Sequence, residues 1–261
     1  LTQNQAASPP PAGTVLILGG TAEARALAAE CVAAAVPVLS SLAGRVSKPA
    51  LPLGAVRIGG FGGEPGLRSF LQLHRFAAVI DATHPFAATI SASAHQACER
   101  AGIPLLRLAR PGWSDRADAA GWHWVGCTLD AAQAALRLGS LAILTTGRQT
   151  LADFALLAPR ITVVRVVEPP IEPLPALWQL IRDRGPYTLA GELELLRARA
   201  VDVLVTKDSG GAFTAAKLDA AAALDIPVVI IRRPDAVTGM DVVTSVGATM
   251  DWLARLSGLG R

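Results

Sequence analysis

The sequence predicts an α/β protein made of two doubly wound parallel-sheet domains. One observation is that four all-apolar runs each enter a loop of glycine and polar residues. Residues 15–18 lead into Gly19-Gly20-Thr21-Ala22-Glu23, and 78–80 into Asp81-Ala82-Thr83-His84-Pro85. Residues 141–144 lead into Thr145-Thr146-Gly147-Arg148, and 203–205 into Thr206-Lys207-Asp208-Ser209-Gly210-Gly211. A continuous apolar run is how a strand buried on both faces reads, and such strands deliver their carboxyl ends to a ligand crevice. The second observation is that helical patterns follow each loop. The third is that two loops come from each half of the chain.

The elements follow in order. Strands are predicted at 15–18, 36–42, 55–58, 77–81 and 104–108, with helices at 23–35, 67–75 and 86–100 between them, Thr21 capping the first. Alternation of this kind implies parallel strands joined by crossovers. Residues 109–121 break the rhythm with Pro111, Gly112, Trp113, Ser114, Asp115, Arg116 and Asp118. It then resumes: strands at 122–125, 141–145, 161–167, 187–190, 202–206 and 227–231, and helices at 129–138, 151–157, 174–184, 193–200, 212–224 and 246–256. The expected organisation is a flexible leader over 1–13, a nucleotide-binding domain over 14–110, a linker over 111–121 and a second domain over 122–261. Exchange of a strand between the domains stays open.

Composition narrows the function. Hydrophobic residues make up 51% of the 261 and charged residues 17%, far from the composition of a disordered chain. The net charge of +3 is dispersed without a basic run, which argues against nucleic acid and suits a small polyanion held by converging arginines. Cys31, Cys98 and Cys127 are odd in number and unpaired in spacing, so neither a disulfide framework nor a structural zinc is expected, and a cytoplasmic location is. No apolar run is long enough for a membrane span. Metal-spaced Cys/His clusters, a G-x-S-x-G elbow and a P-loop are also missing, which leaves cofactor-borne chemistry.

The loops carry the candidate site. Gly19, Gly20, Thr21, Ala22 and Glu23 stand where a dinucleotide-binding turn stands, because glycines admit a pyrophosphate to the backbone and the helix start offers N–H groups. The pattern is not G-x-G-x-x-G, and an inward Glu23 would repel phosphate. Arg45 follows the second strand in Ser40-Ser41-Leu42-Ala43-Gly44-Arg45, with no Asp or Glu between 36 and 52. An arginine there suits a 2′-phosphate, so NADPH is favoured over NADH, with Ser41 and Gly44 as further donors. Thr83 and His84 end the fourth strand, where His84 can position cofactor or act as a general acid. Arg148 and Lys207 each stand among hydroxyls and glycines, Thr146, Ser209 and Gly210 among them, and together suit a carboxylate-rich ligand. The alternative is a glycine-rich turn without a ligand for residues 19–23, a solvated loop arginine for Arg45, and capping of the following helix for the loops that begin at Asp81, Thr145 and Thr206. Arg107, Arg110, Arg116, Arg232 and Arg233, taken singly, read as solvated side chains.

Taken in order, Gly19-Gly20-Thr21-Ala22-Glu23, Ser41-Leu42-Ala43-Gly44-Arg45, Asp81-Ala82-Thr83-His84-Pro85-Phe86-Ala87, Thr145-Thr146-Gly147-Arg148, Gly185-Pro186-Tyr187 and Thr206-Lys207-Asp208-Ser209-Gly210-Gly211 resemble the precorrin-6A reductase family. The likeness runs over about residues 14–234. Tyr187 departs from the phenylalanine of the commoner pattern and keeps its ring. The resemblance implies two Rossmann-like domains with the active site between them, NADPH as cofactor, and reduction of the tetrapyrrole precorrin-6A to precorrin-6B in cobalamin biosynthesis. Two rivals stay open at this point: a non-catalytic NADPH sensor, and a reductase of another small anionic substrate. The Tyr-x-x-x-Lys pair of short-chain reductases is absent around Tyr187, the only tyrosine. Nothing in the sequence chooses the proton donor, the nicotinamide face, the oligomeric state (a monomer included) or whether the substrate carries cobalt.

Overall fold

A computed structural model describes residues 10–44 and 49–256. The chain divides into two compact units, one formed by residues 1–110 with 234–261 and the other by 111–233.

Unit 1 contains strands β1 (Val15–Leu18), β2 (Val38–Leu42), β3 (Ala55–Ile58), β4 (Ala78–Asp81) and β5 (Leu105–Leu108), with helices α1 (Ala22–Ala33), α2 (Gly63–His74) and α3 (Ala88–Ala101). The β1 side chains alternate between two cores. Val15 and Ile17 pack with Leu27, Ala28 and Cys31 of α1, whereas Leu16 and Leu18 pack with Leu67 and Leu71 of α2 and Ala94 and Ala97 of α3. Successive strand residues point to opposite faces, so an all-apolar strand needs helices on both, as in a doubly wound sheet.

Unit 2 contains β6 (His123–Val125), α4 (Thr128–Leu138), β7 (Ala142–Leu144), a 3₁₀ stretch over Arg148–Leu157, β8 (Thr162–Val166), β9 (Trp178–Arg182), α5 (Leu189–Ala198), β10 (Val203–Lys207), a 3₁₀ turn at Ala212–Thr214, α6 (Ala216–Ala223) and β11 (Val228–Ile231). Ile143, Leu204 and Ile230 of its strands pack with Leu196 of α5 and Leu218 of α6. Helix α4 lies against β6, β10 and β11. The chain then forms β12 (Asp241–Val243) and α7 (Val246–Arg255).

Four sequence expectations need correction here. The contiguous second domain over 122–261 does not hold, because β12 pairs in parallel with β5, Asp241 opposite Leu106, and Leu253 of α7 joins the α1 core of unit 1. The expected linker 111–121 belongs to unit 2. Residues 174–184, expected as a helix, hold strand β9, and the expected strand at 187–190 gives way to α5, whose cap Thr188 accepts from Gly191 N. The leader over 1–13 falls mostly outside the described residues.

Both sheets are parallel throughout and six-stranded, ordered β3-β2-β1-β4-β5-β12 in unit 1 and β9-β8-β7-β10-β11-β6 in unit 2. The two orders correspond strand by strand. Only the sixth position differs in origin: β12 enters from the end of the chain, and β6 precedes the rest of its own sheet.

Candidate functional site

In each sheet the winding direction reverses at one place, between β1 and β4 in unit 1 and between β7 and β10 in unit 2. Open α/β sheets take ligands at the carboxyl ends of the strands flanking such a reversal. The four loops released there are the four that the apolar runs of the sequence lead into.

In unit 1 the turn after β1 is drawn tightly onto the sheet. Gly19 N donates to the Ser41 carbonyl (3.0 Å), and a side chain at Gly19 would meet Ala24 Cβ at 3.3 Å. Gly20 takes φ +111° with nothing within 4 Å of where a Cβ would stand. Thr21 caps α1: its hydroxyl accepts from Ala24 N (3.1 Å) and donates to the Ala82 carbonyl (2.8 Å). The single hydroxyl proton thereby ties the β1 loop to the β4 loop. The Ala22 and Glu23 amides, in the first turn, have no intrahelical carbonyl to bond. Glu23 is paired with Arg110 at 2.7 Å, which neutralises a carboxylate that would otherwise oppose an anion.

The β4 loop is organised by a buried carboxylate. Asp81 Oδ1 accepts from the Thr83 amide (3.1 Å) and hydroxyl (2.7 Å), and Asp81 Oδ2 accepts from Arg107 Nη1. That nitrogen also reaches Thr83 Oγ1 (3.0 Å) and Ser91 Oγ (2.7 Å). Thr83 is therefore engaged within the loop. Beyond it, His84 Nδ1 accepts from Phe86 N (3.2 Å), and the His84 carbonyl accepts from Ala87 N (2.8 Å). An imidazole whose Nδ1 accepts carries its proton, when neutral, on Nε2. Pro85 precedes α3, which starts at Ala88 without a side-chain cap, two residues later than the expected start at 86.

At the end of β2, Ser41 stands opposite Arg57 of β3, whose Nη1 lies 3.4 Å from Ser41 Oγ. The Arg57 guanidinium stacks 4.1 Å from the Phe61 ring centroid, and burial lowers its pKa. Gly44 takes φ +72°, and Arg45 lies outside the described residues.

In unit 2 the β7 loop turns at Gly147, φ +84°. Thr145 N and Oγ1 both donate to the Val205 carbonyl (2.9 and 3.2 Å), locking β7 to β10. Thr146 is buried, and its hydroxyl has no hydrogen-bond partner among the described residues. Arg148 donates to the Pro169 carbonyl (3.1 Å). Lys207 ends β10, and burial lowers its pKa while Asp153 opposes the shift.

The β10 loop is pinned from beneath by Asp208. Its Oδ1 accepts from Trp113 N (2.9 Å), its Oδ2 pairs with Arg233 Nε (3.3 Å), and its carbonyl accepts from the same Nε (2.9 Å). Ser209 Oγ lies 3.4 Å from Thr214 Oγ1. Gly210 takes φ +65°, and a Cβ there would stand 2.2 Å from the Pro111 carbonyl oxygen, so only glycine fits.

The structure thus brings Gly19, Gly20, Thr21, Ala22, Glu23, Thr83 and His84 to one switch point, and Thr146, Arg148, Lys207, Ser209 and Gly210 to the other. Sequence reading missed Asp81 with Arg107, Glu23 with Arg110, and Asp208 with Arg233. In each pair the arginine looked solvated because its partner lies 26, 87 or 25 residues away. Among the described residues no group of three or more His, Cys, Asp or Glu side chains could hold a metal ion, and no helix is long and apolar enough to cross a membrane.

Comparison with known proteins follows the same outline. The family described as Precorrin-6x reductase CbiJ/CobK matches residues 14–254. A Precorrin-6A reductase of Rhodococcus erythropolis is 48% identical over 246 residues, covering 93% of this chain and 98% of the relative. One of Mycobacterium tuberculosis (strain ATCC 25618 / H37Rv) is 49% identical over 244 residues, with coverage of 93% and 98%. A solved structure titled CobK precorrin-6A reductase superposes with a TM-score of 0.87 at 38% identity, over 95% of this chain and 98% of that one. Both sheets and the loops at their switch points lie inside the matched span, and the chain belongs to the precorrin-6x reductase family.

Proposed function

We propose that this protein reduces precorrin-6A to precorrin-6B in cobalamin biosynthesis, with NADPH as the reductant. The observation that carries the proposal is the chemistry of the paired switch points in a chain of this family. Unit 1 presents a glycine turn and a helix start suited to a nucleotide, and unit 2 presents Arg148 and Lys207 among hydroxyls and glycines suited to carboxylates.

The unit 1 turn fits a dinucleotide. Open space beside Gly20 admits a pyrophosphate to the backbone, and the Ala22 and Glu23 amides lie at the positive end of the α1 dipole. Arg110 removes the electrostatic objection that Glu23 raises. Arg45, next after Gly44 in sequence, would take the 2′-phosphate, with Ser41 as a further donor. Bound there, NADPH supplies a hydride from its nicotinamide C4.

The residues of the chain have the remaining work. Arg148 and Lys207 bind acetate and propionate groups of the macrocycle, and the unsatisfied Thr146 hydroxyl gains a partner from the bound substrate. Holding the substrate fixed is most of catalysis here, since a conjugated, imine-containing macrocycle is already electrophilic. Reduction adds one hydride and one proton to the ring system, and His84 Nε2–H orients cofactor beside the β4 loop.

The test is anaerobic incubation of the protein with NADPH and precorrin-6A. Nicotinamide absorbance should fall in step with the change in the tetrapyrrole spectrum. Oxidation of NADPH that does not depend on the tetrapyrrole, or none at all by folded protein, would reject the proposal.

A further inference from the structure

Unit 2 buries three ionic side chains in one cluster. Arg165 of β8 and Glu192 of α5 form an ion pair at 2.5 Å with side chains 4% and 2% exposed, and Lys217 of α6 is itself 4% exposed. Glu192 Oε2 has no hydrogen-bond partner, so the carboxylate is only half used. Two cations against one carboxylate is a costly core, and a hydrophobic residue at position 217 would avoid the cost. Burial and the Arg165 charge lower the Lys217 pKa to about 7, Glu192 opposing.

What Lys217 touches suggests why it is kept. Its ammonium lies 5.3 Å from the centroid of the Trp113 ring. Trp113 is also buried, and it holds the β10 loop at two points. Its amide donates to Asp208 Oδ1 (2.9 Å) and its indole Nε1 to the Gly211 carbonyl (3.4 Å). Gly210, between them, has no room for a side chain against Pro111. Loop and 111–113 segment therefore move as one piece, and the Lys217 cation holds that piece by the ring face.

We propose that Lys217 is a positioning residue, which fixes loop 208–211 for the anionic substrate by gripping Trp113. It rests on the reading of unit 2 as the part that binds tetrapyrrole carboxylates. A cation–π contact exists only while the amine is charged. Loss of the proton thus releases Trp113 and loosens the loop, and substrate affinity falls as pH rises. The charged groups around Lys217 are Arg165 from β8 and Glu192 from α5. Tyr187 stacks 4.1 Å from the Arg165 guanidinium, Asp208 acts only through Trp113, and Asp219 on Lys217's own helix is turned to Arg116 at 2.8 Å.

The experiment measures precorrin-6A affinity anaerobically from pH 6 to 8.5 for the wild type, Lys217→Met and Lys217→Arg. Wild-type affinity should weaken about three- to tenfold as pH rises through neutrality. Lys217→Met should bind at the wild type's high-pH level throughout, and Lys217→Arg, always charged, at its low-pH level. NADPH affinity should be unchanged in both, and the effect should appear in KM more than in kcat. A Lys217→Met protein that keeps the wild-type pH profile overturns the proposal, and this variant decides alone if Lys217→Arg does not fold. Arg148→Ala separates the two ideas. If it and Lys207→Ala both bind precorrin-6A normally, the substrate reading of unit 2 fails; if either binds weakly while Lys217→Met keeps the wild-type profile, only the role of Lys217 fails.

Discussion

Asp81 and Arg107 are direct neighbours in the parallel register of β4 and β5, and their side chains form an ion pair at the carboxyl end of the sheet, Asp81 fully buried and the Arg107 side chain 11% exposed. Thr83 and Ser91 complete the network, so one arginine fixes the strand end, the loop and helix α3. Removing one partner of a buried pair leaves an uncompensated charge, at a cost of about 3–5 kcal/mol. Arg107→Met should lower unfolding free energy in urea by about that much, and Asp81→Asn, which keeps an acceptor for Thr83, by less. Equal, small losses in both variants would mean that the pair does not organise the loop.

Lys217 gives a pH dependence of stability with a definite sign. Its folded pKa, about 7, lies below the ordinary lysine value of 10.5. Between these values the unfolded chain binds a proton that the folded chain does not, so this group's penalty is full below about pH 7 and is relieved as pH rises towards 10.5. Lys217→Met should therefore be more stable than wild type at pH 7, by about 1–4 kcal/mol, with the gain vanishing towards pH 10. Denaturation at the two pH values checks this, and a gain independent of pH would contradict the burial of a charged amine.

His84 is held by the Phe86 amide on Nδ1, an arrangement that orients the ring. We propose positioning as its role, with the proton for the electrophilic macrocycle drawn from solvent. His84→Ala should weaken cofactor binding while single-turnover reduction at saturating ligands falls less than about a hundredfold. A larger fall with binding preserved would make His84 the general acid.

The sequence made the switch points legible because strands buried on both faces are all apolar and their loops are not. β1, β4, β7 and β10 carry that contrast, and the loops that follow them are the ones the topology gathers. Strand β9 was illegible for a physical reason: Leu174, Leu177, Trp178 and Ile181 recur at helical spacing, yet the segment is an edge strand with Trp178 buried and Gln179, Leu180 and Arg182 exposed. β12 is three residues long and completes a sheet begun far back in the chain, which local pattern cannot reveal. The site's ionic framework was hidden likewise, since Arg110 gains meaning only from Glu23 across the fold. No sequence pattern marks Lys217, and only its burial against Trp113 sets it apart.

We propose a division of labour, with nucleotide held by the unit 1 loops and tetrapyrrole by the unit 2 loops. Dissociation constants for NADPH and for precorrin-6A, measured on Arg45→Ala and Arg148→Ala, test it most directly. Arg45→Ala should weaken NADPH by about 1.5–3 kcal/mol, leaving NADH and precorrin-6A close to wild type. Arg148→Ala, like Lys207→Ala, should weaken precorrin-6A alone, with added salt reducing binding most in the wild type. Equal weakening of NADPH and NADH by Arg45→Ala, or unchanged precorrin-6A affinity in both unit 2 variants, would contradict the account.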